Sequence, residues 1–255
     1  MMSGMSQYYN PKRVRGVFDP VARESFNISR SKIDLFQDCP RCFYLDRRLG
    51  VARPPGFPFN LNSAVDTLFK KEFDIHRVRQ EQHPLMKTYE IEAVPYQHND
   101  LDMWRDPFRG VRHYHKPTNL TISGGIDDVW VNPAGELIVV DYKATAKNGQ
   151  VNLEAPWQIS YKRQIEVYQW LLRQNDFKVS NTGYFVYANG RTDREAFDGK
   201  LEFDVTILPY TGKSDWVDET LYDIKECLMG EELPTAGQDC DWCRYRTAVS
   251  EFEAK

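Results

Sequence analysis

Val139-Val140-Asp141-Tyr142-Lys143-Ala144-Thr145 runs from two β-branched apolar residues straight into an acid and a base. Side chains alternate along a strand, so Asp141 and Lys143 share one face. Val139 and Val140 imply a buried strand, and a buried strand seldom ends on two opposite charges. On an exposed face Asp-x-Lys is usually a solvated cross-strand pair, so its neighbours decide the reading. Upstream, LTISGGIDDVWVN (120–132) is a second strand-like run, separated from ELIVVDYKAT (136–145) by Pro133-Ala134-Gly135. That is hairpin punctuation, and a hairpin there brings Asp127 beside Asp141. Gly124 and Gly125 just before it allow close backbone approach. Two close carboxylates repel unless a cation lies between them, and hard oxygen ligands favour Mg²⁺ or Mn²⁺. Such an ion acidifies a bound water and neutralises charge on a phosphoryl group. A nearby lysine orients that water or stabilises the pentavalent phosphorus. The constellation suits phosphodiester hydrolysis.

Outward from this centre the pattern is mixed. Ser31-Lys32-Ile33-Asp34 reads as a capping box and predicts a helix from about Ser31. Pro40 ends that helix or opens a second one at its first position. RPPGFPFN (53–60) reads as a loop. Asn62 to Phe73 reads as a helix with Val65, Leu68 and Phe69 on one stripe. TYEIEAVPY (88–96) looks like a strand, and 97–117 like a polar insertion or long loop. YKRQIEVYQWLLRQ (161–174) is a helix that places Gln164 and Tyr168 on one face. Two further strands, TGYFVYAN and KLEFDVTIL, and a last helix, WVDETLYDIKECLMG, complete the order. Helices, strands, helix, strands, helix predict an α/β fold with a mixed sheet flanked by helices.

The chain has 255 residues, 41% hydrophobic and 13% aromatic, with a formal net charge of -4. That charge argues against a protein whose main task is coating nucleic acid, and leaves room for a local basic groove. No apolar run reaches the length of a membrane span. The start lacks the apolar core of a signal peptide, so residues 1–30 read as a flexible polar tail and the expected localisation is cytoplasmic. Four of the five cysteines form two pairs, Cys39-Pro-Arg-Cys42 and Cys240-Asp-Trp-Cys243. In a cytoplasmic protein these are not a disulfide framework. Four thiolates suit tetrahedral Zn²⁺ or an iron–sulfur cluster of the 4Fe–4S kind. Cys227 reads as a small buried apolar residue. In VRHYHK, His113 and His115 stand at strand spacing. A basic, aromatic loop that contacts DNA, or a solvated loop, is favoured over a second metal pair. Arg105, Arg109, Arg112 and Lys116 form the basic side of that loop.

Taken in order, these motifs resemble the RecB-type branch of the PD-(D/E)XK nuclease superfamily, which has the restriction-endonuclease-like fold. They are similar to CRISPR-associated adaptation nucleases and to the nuclease domains of recombination helicases. The resemblance runs from Ser31 to Arg246. It is carried by SKIDLFQDCPRCFYL, Gly124-Gly-Ile-Asp127, Asp141-Tyr-Lys-Ala144 and Gln164 to Tyr168. It implies that Asp127, Asp141 and the backbone carbonyl of Tyr142 ligate the metal, and that Lys143 acts on the attacking water. Gln164 and Tyr168 would position the nucleic-acid backbone or the active-site loop, or simply pack. Where the family has a metal-binding histidine, this chain has Asp66, either a ligand or a surface residue of an amphipathic helix; Glu72 is a fallback. Iron–sulfur members carry one early cysteine and three late ones. Cys39, Cys240 and Cys243 match, the last is missing near Val249, and Cys42 offers the fourth thiolate. The resemblance favours the cluster and the local spacing favours zinc; the 4Fe–4S cluster is the expectation and Zn²⁺ the alternative, and either joins the N- and C-terminal segments.

The expectation is a restriction-endonuclease-like domain over 31–246, with a cysteine segment at 226–246 and a tail at 247–255. It would be a metal-dependent nuclease using Mg²⁺ or Mn²⁺ on DNA, in single-stranded form or at ends, in repair, recombination or CRISPR-type processing. Without a G-x-x-x-x-G-K-S/T motif, unwinding falls to a partner, a helicase or CRISPR adaptation proteins. RNA is not separated from DNA by these residues. The alternative is a catalytically silent DNA-binding or complex-assembly member, suggested by Asp66. Retention of Asp127, Asp141 and Lys143 together argues for the enzyme.

Overall fold

The computed structural model describes residues 13–56 and 59–253. In chain order its elements are β1 (Phe26–Ser29), α1 (Arg30–Asp38), α2 (Pro40–Arg47), α3 (Asn60–Arg79), α4 (Pro84–Thr88), β2 (Val94–Pro95) and α5 (Leu101–Arg105). Then come β3 (Val111–His115), β4 (Leu120–Gly124), β5 (Asp128–Val131), β6 (Leu137–Thr145), α6 (Ile159–Arg173), β7 (Thr182–Gly190), β8 (Phe203–Thr211), α7 (Trp216–Met229) and α8 (Asp241–Glu253). They fall into two compact units, one of segments 1–57, 114–122 and 216–255, the other of 58–113 and 123–215. No helix among the described residues is long and apolar enough to cross a membrane.

The first unit is mainly helical. Helix α1 starts one residue before the predicted capping box: Ser29 is its N-cap, and the Ser31 hydroxyl bonds the Ser29 hydroxyl instead (2.9 Å). Pro40 opens α2 at its first position, as its missing N–H allows, and the Cys39 sulfur caps that helix by accepting from the Cys42 N–H. Ile33 and Phe36 of α1 are buried, with Phe36 edge-on to Phe43. Gln37 and Tyr44 reach Thr220 and the Gly230 carbonyl. Helix α7 buries Val217, Leu221, Ile224 and Leu228 at helical spacing.

The second unit carries a five-stranded sheet of order β2-β5-β6-β7-β8. Strands β5 and β6 form the expected antiparallel hairpin, with Asp128 opposite Val140 and Val131 opposite Leu137. Gly135 takes φ +73° in its turn, a conformation natural to glycine. Strand β7 runs parallel to β6 with Asp141 opposite Phe185, and α6 makes the crossover; β8 returns antiparallel. The sheet is therefore mixed. On one face Trp130, Ile138, Val140, Tyr142 and Val186 pack with Phe69 and Phe73 of α3. On the other lies α6, where Gly183 admits Ile165: a Cβ there would come within 2.8 Å of its Cγ2. This is the α/β sandwich that the element order predicts.

Several expectations change. The strand predicted over 88–96 shrinks to Val94–Pro95, because Pro84 starts a short helix and Pro95, with no N–H, suits an edge strand. LTISGGIDDVWVN is two strands in two sheets: β4 pairs with β1 and β3, β5 with β2 and β6. The break falls at Gly124, where a Cβ would lie 2.6 Å from the Tyr168 ring. The stretch 97–117 holds α5 and β3 and buries Leu101, Trp104 and Val111. Of the tail read over 1–30, Phe26–Ser29 is a strand, and residues 1–12 lie outside the described residues. Helix α8 continues through 247–253. In the loop read over 53–60, Phe57 and Pro58 lie outside the described residues.

Candidate active site and metal centre

Strand β6 is buried from Leu137 to Tyr142. Asp141 is fully buried, and Lys143 forms an ion pair with its Oδ2. Beyond that pair, neither Asp141 carboxylate oxygen has a hydrogen-bond donor. Burial pushes the Asp141 carboxyl up to about 7; Lys143 opposes the shift and the charge of Asp127 adds to it. A buried carboxylate paired with an ammonium, with a second acid beside it, is a donor set suited to a hard divalent cation.

Asp127 stands at the entry to β5, and its Oδ2 accepts the Tyr142 N–H at 3.1 Å. A residue's N–H and C=O lie on the same edge of a strand, so the Tyr142 carbonyl opens on the Asp127 side, as a ligand there must. Asp127 Oδ1 receives Lys70 at 3.3 Å, and the same ammonium bonds Asp66 Oδ2 at 2.8 Å. Asp66 is thus joined to the acidic set through a lysine one helical turn along α3. Burial first, and Asp127 second, raise the Asp66 carboxyl. Glu72 instead pairs with His83 Nε2 at 2.8 Å.

Helix α6 supplies the opposite wall. Lys143 Nζ donates to Gln164 Oε1 (3.3 Å), whose amide donates to the Tyr168 hydroxyl (3.2 Å). The Lys143 ammonium lies 4.3 Å from the centre of the Tyr161 ring. Tyr161 meets Trp157 edge-on at 5.3 Å, and Trp157 is 61% exposed. Nothing in sequence spacing singled out Lys70 or Tyr161, although each stands at helical distance from an expected site residue.

The proposed basic loop is only partly basic in effect. Arg105, read as part of its basic side, is an inward residue: it pairs with Asp74 (2.8 Å) and Asp128 (3.0 Å). Arg109 pairs with Asp106, and Arg112 donates to the Arg109 and Phe108 carbonyls. Lys116 is exposed in a turn after β3. His113 stands edge-on to Trp170, while His115 bonds Thr118 and pairs with Asp218 at 3.6 Å.

Cys39, Cys42, Cys240 and Cys243 converge, all sulfurs within 4.8 Å of one another. Three of the spacings are 3.6–3.7 Å. The Gly237 N–H (3.2 Å) and the Cys42 N–H (3.4 Å) donate to Cys39 Sγ, and Arg53 donates to Cys240 Sγ at 3.2 Å. Burial works to raise the Cys39 thiol, but these two N–H groups and its cysteine neighbours outweigh it and bring it to about 7. Burial pushes Cys42 and Cys243 up. Four buried thiols cannot all ionise without a cation, so the donor set fits a metal. The cluster joins α2 to α8 as expected. Cys227 is half-buried, raised by burial to about 11.

The mixed sheet lies between helices, with Asp127, Asp141 and Lys143 at the end of one hairpin. The family model of the PD-(D/E)XK nuclease superfamily matches residues 61–248, and the chain belongs to that superfamily. Its members are nucleases that use divalent metals. Solved structures match as well; one of them, the crystal structure of SSO0001, shares 16% identity over 89% of this chain and 86% of its own, with a TM-score of 0.37. No curated protein matches.

Proposed function

We propose that this protein is a RecB-type, Mg²⁺- or Mn²⁺-dependent deoxyribonuclease. The observation that carries the reading is the fully buried Asp141, paired with Lys143 and otherwise without donors, beside Asp127. Asp127, Asp141 and the Tyr142 carbonyl would hold the ion, with Asp66 as a further ligand once Lys70 withdraws. The bound ion supplies an acidified water and charge neutralisation at phosphorus. Lys143 orients the attacking water, and Gln164, held by Tyr168, keeps the ammonium in place. The RecB-type likeness extends the proposal to one nuclease module over 31–246, cytoplasmic, working in repair, recombination or CRISPR-type processing with a helicase or adaptation proteins. The test is cleavage of end-labelled single-stranded and duplex DNA with Mn²⁺, Mg²⁺ or EDTA. Cleavage with either ion and none in EDTA supports the reading; none at all on folded protein defeats it.

Trp157 supports single-stranded DNA as the substrate. The exposed indole one ring away from the Lys143 ammonium would serve to stack an unpaired base, and bases of a duplex are not free to do so. Base–aromatic stacking contributes ~1–3 kcal/mol per base. Trp157→Ala is therefore expected to raise KM for single strands about tenfold, with kcat kept and duplex cleavage unmoved. Trp157→Phe should restore most of the loss. Equal KM values for wild type and the alanine variant would remove this support.

For the cysteine centre we propose one tetrahedral Zn²⁺ rather than an iron–sulfur cluster. Bonds of about 2.3 Å around a single ion set sulfur–sulfur edges of about 3.8 Å, close to the spacings present. A cubane cluster holds its four thiolates farther apart. Anaerobically purified protein should carry one equivalent of zinc and lack the brown absorption of iron–sulfur clusters; stoichiometric iron and sulfide would reverse the assignment.

The second reading, a silent DNA-binding member, draws on Lys70, whose ammonium competes with a metal ion for Asp66 and Asp127. DNA binding without cleavage in any metal would favour it.

A further inference from the structure

Behind the reaction face lies a second set of charges. Asp128 follows Asp127 and is fully buried. Its Oδ1 accepts from Arg77, from Arg105 Nη2 (3.0 Å) and from the Val129 N–H (2.8 Å). Its Oδ2 accepts the Tyr142 hydroxyl at 2.6 Å. Asp74 takes the other donors of the same two arginines, Arg77 Nε at 2.9 Å and Arg105 Nη1 at 2.8 Å. Two carboxylates and two guanidiniums thus balance. The arginines also reach backbone: Arg77 to the Tyr96 and Val129 carbonyls, Arg105 Nε to the Asp127 carbonyl at 3.1 Å.

We infer that Tyr142, Asp128 and Arg105 are positioning residues that set the distance between Asp127 and the Asp141–Lys143 pair; the inference rests on the nuclease reading of that site. Alternation along the strand makes the argument. Tyr142 lies between Asp141 and Lys143, so its side chain leaves on the opposite face. There it stacks on Phe69, with ring centres 5.1 Å apart, and reaches Asp128. The Tyr142–Asp128 bond therefore ties the two strands from behind, while the Tyr142 N–H ties them in front through Asp127 Oδ2. Arg105 closes the frame by holding the Asp127 carbonyl to Asp128. Partners that orient ligands from behind change metal affinity or activity about 10- to 100-fold when removed. A network serving only to fill the interior would change stability and leave metal affinity alone.

Tyr142→Phe separates the two. It keeps the ring and its stacking and removes one hydroxyl. Mn²⁺ binding is measured by calorimetry on protein with its cysteine centre intact, together with the melting temperature and cleavage of labelled single strands. Expected are a 10- to 100-fold weaker Mn²⁺ affinity, a melting temperature lowered by the several degrees that one lost buried hydrogen bond costs, and cleavage that recovers as Mn²⁺ is raised. Arg105→Lys, which keeps the charge but not the fork that spans Asp74, Asp128 and the Asp127 carbonyl, should behave alike and serves if the first variant folds poorly. Unchanged Mn²⁺ affinity in a wild type and variant that both bind overturns the inference alone. A wild type that binds no Mn²⁺ outside the cysteine centre defeats the nuclease reading and the network's role with it.

Discussion

Lys143→Ala is expected to lower metal-dependent DNA cleavage by at least about 10²–10³-fold, the scale on which enzymes depend on one preorganised charge-stabilising donor. Among the described residues, Lys143 and Lys70 are the lysines that pair with the acidic set. Lys143 pairs with Asp141, bonds Gln164 at 3.3 Å and lies against Tyr161. Lys70, the other ammonium of the site, is engaged by Asp66 and Asp127. The fold should survive. Removing one partner of a buried pair leaves a buried charge, but the Asp141 carboxyl, already raised by its burial, takes up a proton rather than unfolding the chain. DNA binding should persist as well, because one ammonium is a small part of a backbone-tracking surface. The measurement is single-turnover cleavage with Mn²⁺ at matched DNA occupancy, with melting curves alongside. Activity within tenfold of wild type would show that the water is oriented by another group.

The second large effect concerns the cysteines. Cys240→Ser, or prolonged treatment with a strong zinc chelator, should unfold the α7–α8 side of the first unit. Structural zinc contributes on the order of 10 kcal/mol in small metal-bound folds, and each kcal/mol moves the melting point of a unit this size by several degrees. A drop of about 10 °C or more, with new protease cuts between Gly230 and Glu253, is therefore expected. The apolar contacts of the centre are few: Leu35 and Ala236 pack against the four cysteines, and Cys243 is the buried residue of α8. A variant that melts like wild type and resists protease would show the four thiols to be a packed cluster that needs no ion.

Much of the site is legible in the sequence because its signals are local. Strand alternation places Asp141 and Lys143 on one face, and the Pro133–Gly135 turn delivers Asp127. The two Cys-x-x-Cys pairs are chemically too specific to mean much else. What escapes is long-range pairing. Arg105 looks like one basic residue among several in a polar stretch; its partners Asp74 and Asp128 stand 31 and 23 positions away. Asp128 follows Asp127 directly, yet its carboxylate bonds Arg77, Arg105 and Tyr142. Lys70 is an ordinary helix lysine until Asp127 approaches it. The strand over 88–96 fails for a related reason: apolar alternation is present, but Ile91 and Ala93 are buried by turns rather than by a ladder.

The sulfurs of the cysteine cluster come from positions as far as 204 apart, and this has a meaning for synthesis. A chain emerging from the ribosome has made every residue of the second unit, including Asp127, Asp141 and Lys143, by Asp215, while the first unit still lacks α7, α8 and two of its four sulfurs. Domains fold as they emerge, so acids and lysine are in hand well before the centre can close. A product cut short by a premature stop after β8 would carry the whole proposed catalytic set and an open pair of cysteines. Under the zinc proposal, the cluster closes only once Cys243 has emerged, after every residue of the proposed catalytic set.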